Sequence, residues 1–184
     1  MRGFIFILFS ATIGFSQLNN TETITKTGTT AAQFLKIGVD ARGSAMGNAF
    51  TAMTGDISAM YWNPAGLASI GKIESIFVNA NWLAGINFNY AAIAINLNQG
   101  GVIGFSMTDL STPEDIVRTV EKPNGTGEYF DASDLAMTIS YAKSLTDKFA
   151  MGGNIKYIRQ QIWHASASSF AADLGALFTT PFRG

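Results

Sequence analysis

Cysteine is missing altogether, histidine occurs once, and charged residues make up only 14 % of 184 positions. Each shortage removes a class of protein. Without cysteine there is no disulfide framework, no thiolate metal site and no lipid-modified cysteine behind a leader. The one imidazole, His164, falls in an expected loop beside Trp163 with no second histidine at ligand spacing, so no zinc-hydrolase signature exists. Twelve basic residues are scattered against thirteen acidic ones. The concentrated cationic face that a phosphate backbone requires is therefore lacking, and nucleic acid is excluded as a partner. No serine stands in G-x-S-x-G, and residues 43–47 are not a G-x-G-x-x-G turn. Asp131 and Asp134 are expected to be solvated at a strand end rather than to hold a cation. No nucleophile, base and oxyanion donor assemble, so neither an enzyme nor a cofactor is expected. No apolar run reaches the roughly twenty residues that a spanning helix needs.

Hydrophobic residues nevertheless make up 47 % of the chain, more than a surface facing only water calls for. Met1-Arg2, the apolar stretch from Phe4 to Phe15 and the small residues Gly14 and Ser16 before Gln17 form an export signal over residues 1–16. A membrane-anchoring helix is the alternative, and the polar run that follows cuts it short. Residues 17–33, rich in Thr and Asn, read as a mobile start of the mature chain.

After Lys72 six blocks alternate with period two, which is a strand signal rather than a helical one. Ile76, Val78, Ala80 and Trp82 oppose Ser75, Asn79 and Asn81, with Phe77 out of phase. Ala91, Ile93, Ile95 and Leu97 oppose Ala92, Ala94 and Asn96. Ile103, Phe105 and Met107 oppose Gly104, Ser106 and Thr108. The later blocks set Leu135, Met137, Ile139 and Tyr141 against Ala136, Thr138 and Ser140, then Phe149, Met151, Ile155 and Tyr157 against Gly152, Asn154 and Lys156, then Phe170, Leu174 and Phe178 against Asp173 and Gly175. A soluble sandwich would dress its outer face with Lys, Glu and Thr; here the second face is Gly, Ala, Ser and Asn, which suits a crowded lumen. Blocks of about nine to eleven residues with aromatics near their ends match tilted transmembrane strands. The expectation is an all-β, antiparallel transmembrane barrel whose apolar row meets outer-membrane lipid. Gly152-Gly153 is expected to be a strand kink, and Lys156 and Asp173, both on the lumen side, to pair across strands.

Connections alternate as in such barrels. Residues 98–101 and 145–148 are short turns, whereas 83–88, 111–130 and 161–168 are the longer, outward loops. The N-terminal segment is expected to begin on the short-turn side. Six strands cannot close a barrel, so the chain is expected to be a truncated product or fragment that aggregates or is degraded if made as written, several copies in one barrel being the alternative.

Residues 34–71 differ from everything downstream. Small residues around Gly43 and Gly47 allow close backbone approach but bury little apolar area. Asp56 is placed to cap a short helix, and Asn63 stands before Pro64 as a cap before the residue favoured at the first helical position. The run FLKIGVDARGSAMGNAFTAMTGDISAMYWNPAGL resembles the N-terminal segment of the PorV/PorQ family of outer-membrane proteins, which are similar to FadL-like barrels. Met46-Gly47, Asp56 and Trp62-Asn63-Pro64-Ala65-Gly66-Leu67 carry the likeness. It implies that residues 34–71 form a hatch inside a barrel and that residues 72–184 supply its first six strands. It also implies the outer membrane as location, and either a docking role toward secreted cargo and other type IX secretion components or a channel for a hydrophobic solute. Met46, Phe50, Met53, Tyr61 and Trp62 would then line the path, and the 111–130 loop would be the docking surface.

Overall fold

The computed structural model describes residues 30–53 and 55–180. The expected signal, residues 1–16, and the mobile stretch up to residue 29 lie outside them. Eight strands are numbered in chain order: β1 (Ile73–Asn81), β2 (Asn87–Asn96), β3 (Val102–Ser111), β4 (Asp115–Ile116), β5 (Tyr129–Phe130), β6 (Ala132–Thr146), β7 (Phe149–Ile162) and β8 (Ala165–Phe178). Six of them form one antiparallel sheet in the order β1-β2-β3-β6-β7-β8, and β4 pairs with β5 inside the long connection. The chain is all-β, as the alternation predicts. Among the described residues the sheet is open, with β1 and β8 at its edges.

One face of the sheet is covered by residues 32–70, which run from the long-loop end toward the short turns. The Ala32 amide donates to Gln160 Oε1 (2.9 Å) near the end of β7, and Asn96 Nδ2 at the opposite end of the sheet donates to the Ile70 carbonyl (3.0 Å). The described start of the segment thus sits at the long-loop end, not the short-turn side expected for it. Val39, Ile57, Met60, Leu67 and Ile70 are buried against Phe88, Tyr90 and Val102 of the sheet, and Phe34 fills a second cluster with Ala136 and Ile158. Burying such side chains contributes about 1.5–3 kcal/mol each, an upper bound because the unfolded chain already hides part of that surface. A hydrogen bond nets about 1 kcal/mol, so apolar burial holds the segment down and the polar contacts fix where it sits.

Among the described residues nothing covers the opposite face. Ile93, Phe105, Ile139, Ile155, Phe170 and Leu174 are all exposed there, a continuous apolar surface far beyond the scattered residues of an ordinary soluble protein.

Three expectations change. In β1 the apolar row Ile76, Val78 and Ala80 packs inward on the core, and Phe77 points out. The covering segment buries an apolar core there, so hydrophobicity alone does not tell the two sides of that strand apart. The β6, β7 and β8 strands are 15, 14 and 14 residues long, so the expected loop 161–168 shrinks to the turn Trp163-His164, with Trp163 at φ 52°. Finally, Gly152-Gly153 is no kink: β6–β7 pairing runs through it unbroken, and the register shift lies at Ser144/Thr146.

Candidate functional site

The covering segment is built from short pieces because its sequence supplies caps more often than long apolar faces. Asp40 precedes α1 (Ala41–Ala45); its Oδ2 accepts from the Gly43 amide (2.9 Å) and its Oδ1 from Trp62 Nε1 (2.9 Å). One buried carboxylate therefore caps a helix and fixes an indole. Gly43 is small for a reason: a Cβ there would stand 2.8 Å from the Trp62 ring. Gly47, at φ 64°, and Asn48, at φ 66°, end that helix in the left-handed region.

Asp56 accepts from the Ser58 amide (2.7 Å) and from its hydroxyl, which starts the turn leading into α2 (Ala59–Trp62). Its other oxygen pairs with Arg42 on α1, whose guanidinium lies 5.3 Å from the Phe50 ring centre. Tyr61 meets Trp62 edge-on at 4.8 Å and donates from its hydroxyl to the Leu35 carbonyl (2.8 Å). Burial pushes the Tyr61 phenol up to about 12.

Asn63 ties the segment to the wall. Its Oδ1 accepts from the Ala65 amide (3.1 Å), capping the 3-10 turn Pro64–Ser69, while its Nδ2 donates to the carbonyls of Thr51 (3.1 Å) and Ala176 (3.2 Å). Pro64, Ala65, Gly66 and Leu67 are all buried behind it. From the wall, Asn154 Nδ2 donates to the Met60 carbonyl (3.0 Å) and to Asp173 Oδ2 (3.0 Å), and Lys156 Nζ lies 2.7 Å from the same carboxylate oxygen. Lys156 and Asp173 thus form an ion pair on the inner face, between adjacent strands.

The wall makes room for all this with glycine. A Cβ on Gly152 would stand 2.5 to 2.7 Å from the backbone of Pro64 and Ala65. One on Gly175, the direct register partner of Gly152, would run into Asn63 Oδ1 and the Pro64 ring, and one on Gly104 into the Met60 methyl. Asn63, Pro64 and Ala65 are therefore pressed against a floor of glycines on β7 and β8, and Met60 against the floor glycine of β3.

Of the residues expected to line a path, Phe50 is buried, tilted against Trp62 at 6.1 Å, and presents no surface to a solute. Met46 is exposed, Met53 half-buried. Tyr61, Trp62, Lys156 and Asp173 border a cleft of about 420 Å³ beside the Asn63 contact. His164 is an exposed turn residue stacked on Trp163 at 4.3 Å. Asp134 accepts from Gln160 Nε2 (3.1 Å). Sequence reasoning missed Asp40, Asn96, Asn154 and the three floor glycines. For the glycines a signal exists: each sits in the inward phase of its strand, where a small residue marks a close neighbour.

A family model described as Type IX secretion system protein PorV matches residues 19–180. Among curated proteins none matches the chain.

Proposed function

From the premise that the chain belongs to the PorV family of type IX secretion system proteins, we propose that it is an outer-membrane barrel protein that docks secreted cargo for that system. The apolar face of the sheet meets lipid in this reading, and residues 32–70 form a hatch inside the wall. The observation that carries it is the pairing of an uncovered apolar outer face with a hatch seated on wall glycines and held by Asn63, Asn96 and Asn154. A hatch so attached behaves as part of the wall, which suits a platform better than a plug that must leave. The protein performs no chemistry of its own; its partners are lipid, secretion-system components and cargo, and the 111–130 connection with its β4–β5 hairpin is the contact surface. There Val120 is fully exposed, and Tyr129 and Phe130 are partly so.

A second reading, a channel for a hydrophobic solute, draws on the cleft bordered by Tyr61, Trp62, Lys156 and Asp173. Purification from native outer membranes separates the two. Docking predicts co-purifying secreted proteins that are lost when residues 117–126 are replaced by a short Gly-Ser linker, with the barrel still folded. Bound apolar small molecules and no cargo would sink docking in favour of transport.

A further inference from the structure

The outward face is not apolar along its whole length, and the place where it changes is the same on neighbouring strands. Phe77, Ala91, Met107, Met137, Tyr157 and Phe170 form one register row across the sheet. The next outward row toward the long loops is Asn79, Asn89, Asp109, Leu135, Arg159 and Ser168, polar at every position but Leu135. Part of that row is already bonded to itself: Asn79 Nδ2 donates to Asn89 Oδ1 (2.7 Å) and Asn89 Nδ2 to Asp109 Oδ2 (3.1 Å). Beyond it stand Asn81, Asn87, Ser111, Ser133, Gln161 and Ser166.

The lengths of the last two strands give the change a physical meaning. In β7 the outward apolar residues run from Phe149 to Tyr157, and in β8 from Phe170 to Phe178, nine residues each. At about 3.3 Å per residue and a tilt of about 40° this spans roughly 23 Å, close to the ~25 Å apolar band of an outer-membrane barrel. The remaining residues, 158–162 and 165–169, reach about 12 Å further by the same arithmetic. Every residue of β8 from Ala165 to Ser169 is exposed, on both faces. Tyr157 and Phe170, 5.3 Å apart, lie at the boundary, where aromatic rings prefer to sit, and Arg159 and Ser168 follow immediately, at the depth of lipid headgroups.

We infer that the bilayer ends at the Tyr157–Phe170 row and that the β7–β8 hairpin stands out of it as a rigid, wet rim, with the Arg159–Ser168 row among the headgroups. The inference rests on the membrane reading above and deepens it: the surface offered to cargo includes the wall itself, beside the long connection. The natural absence of cysteine makes the test direct, because each single-cysteine variant reports one position. In outer-membrane fragments open on both sides, Gln161→Cys and Ser166→Cys are expected to react with a charged maleimide within a few-fold of the rate of Val120→Cys in the long connection. Ile155→Cys and Leu174→Cys are expected to react at least tenfold more slowly, and a bimane placed there to be quenched by lipid brominated in mid-chain. Ala165→Cys, exposed and beyond the headgroup row, replaces Ser166→Cys should the latter not assemble. Protection of positions 161 and 166, with bromolipid quenching there, overturns the boundary and leaves the membrane reading standing. Free reaction at 155 and 174 overturns the membrane reading itself.

Discussion

Replacing Gly152 with alanine adds one methyl group to β7, and the structure says where that methyl goes: within 2.5 to 2.7 Å of the Pro64 carbonyl group and the Ala65 nitrogen. That backbone cannot easily withdraw, because Asn63 bonds it to Ala176 on β8 and to Thr51. Overpacking of this kind costs about 1–3 kcal/mol. Against it stands a gain of about 0.5–1 kcal/mol from removing a glycine from a strand interior. The net loss of roughly 1–2 kcal/mol corresponds to about 2–8 °C in Tm for a chain of this size. Gly153→Ala is the matched control. It makes the same chemical change one residue on, but its methyl points away from the covering segment and meets the Asp173 carbonyl oxygen and a Leu174 methyl at 3.3 Å, so its Tm is expected to stay within about 2 °C of wild type. Gly175→Ala should behave like Gly152→Ala, and the double variant should lose less than the two singles together, since both displace the same proline. Thermal unfolding of the purified protein in detergent reads all four. Equal Tm values for Gly152→Ala and Gly153→Ala would refute the seating of residues 63–65 on this floor.

Two further outcomes follow from the same contacts. Asn63→Leu removes a helix cap and the amide that donates to the Thr51 and Ala176 carbonyls, so it should lower Tm and raise single-channel conductance in planar bilayers, whereas Asn63→Asp, which keeps the cap acceptor, should be intermediate; unchanged conductance in both would show that this side chain does not hold the covering segment. Tyr61, with its phenol pushed up to about 12, should stay protonated through pH 10–11. Its raised value stabilises the fold fully below the ordinary tyrosine range, and that contribution is lost as pH rises through about 12. The difference in 295 nm absorbance titration between wild type and Tyr61→Phe checks this, and ionisation of Tyr61 near pH 10 would contradict it.

How much of this was legible in the residues depends on where contrast exists. Alternation placed the central parts of β2, β3, β6, β7 and β8 and their exposed apolar rows correctly because the inward residues there are mostly Ala, Gly, Ser, Thr and Asn, plainly different from Ile, Met and Phe. It failed on β1, where both directions lead to apolar surroundings. It also stopped short at the outer halves of β7 and β8, because Ser166, Ala167 and Ser168 carry no hydrophobic contrast; their strand conformation comes from pairing with Gln161, Gln160 and Arg159, which no local pattern announces. The Asn63-Pro64 cap was readable since it is local. The partners of Asn154 and the role of Gly152 were not, because each depends on a neighbour about ninety residues away in the chain.

That separation has a consequence for how the molecule comes together. Asn63 reaches across 113 positions to Ala176, and Asn154 reaches back across 94 to Met60. These two contacts can therefore close only after β7 and β8 have been made and paired. Their closure reports that the β7–β8 hairpin is in place.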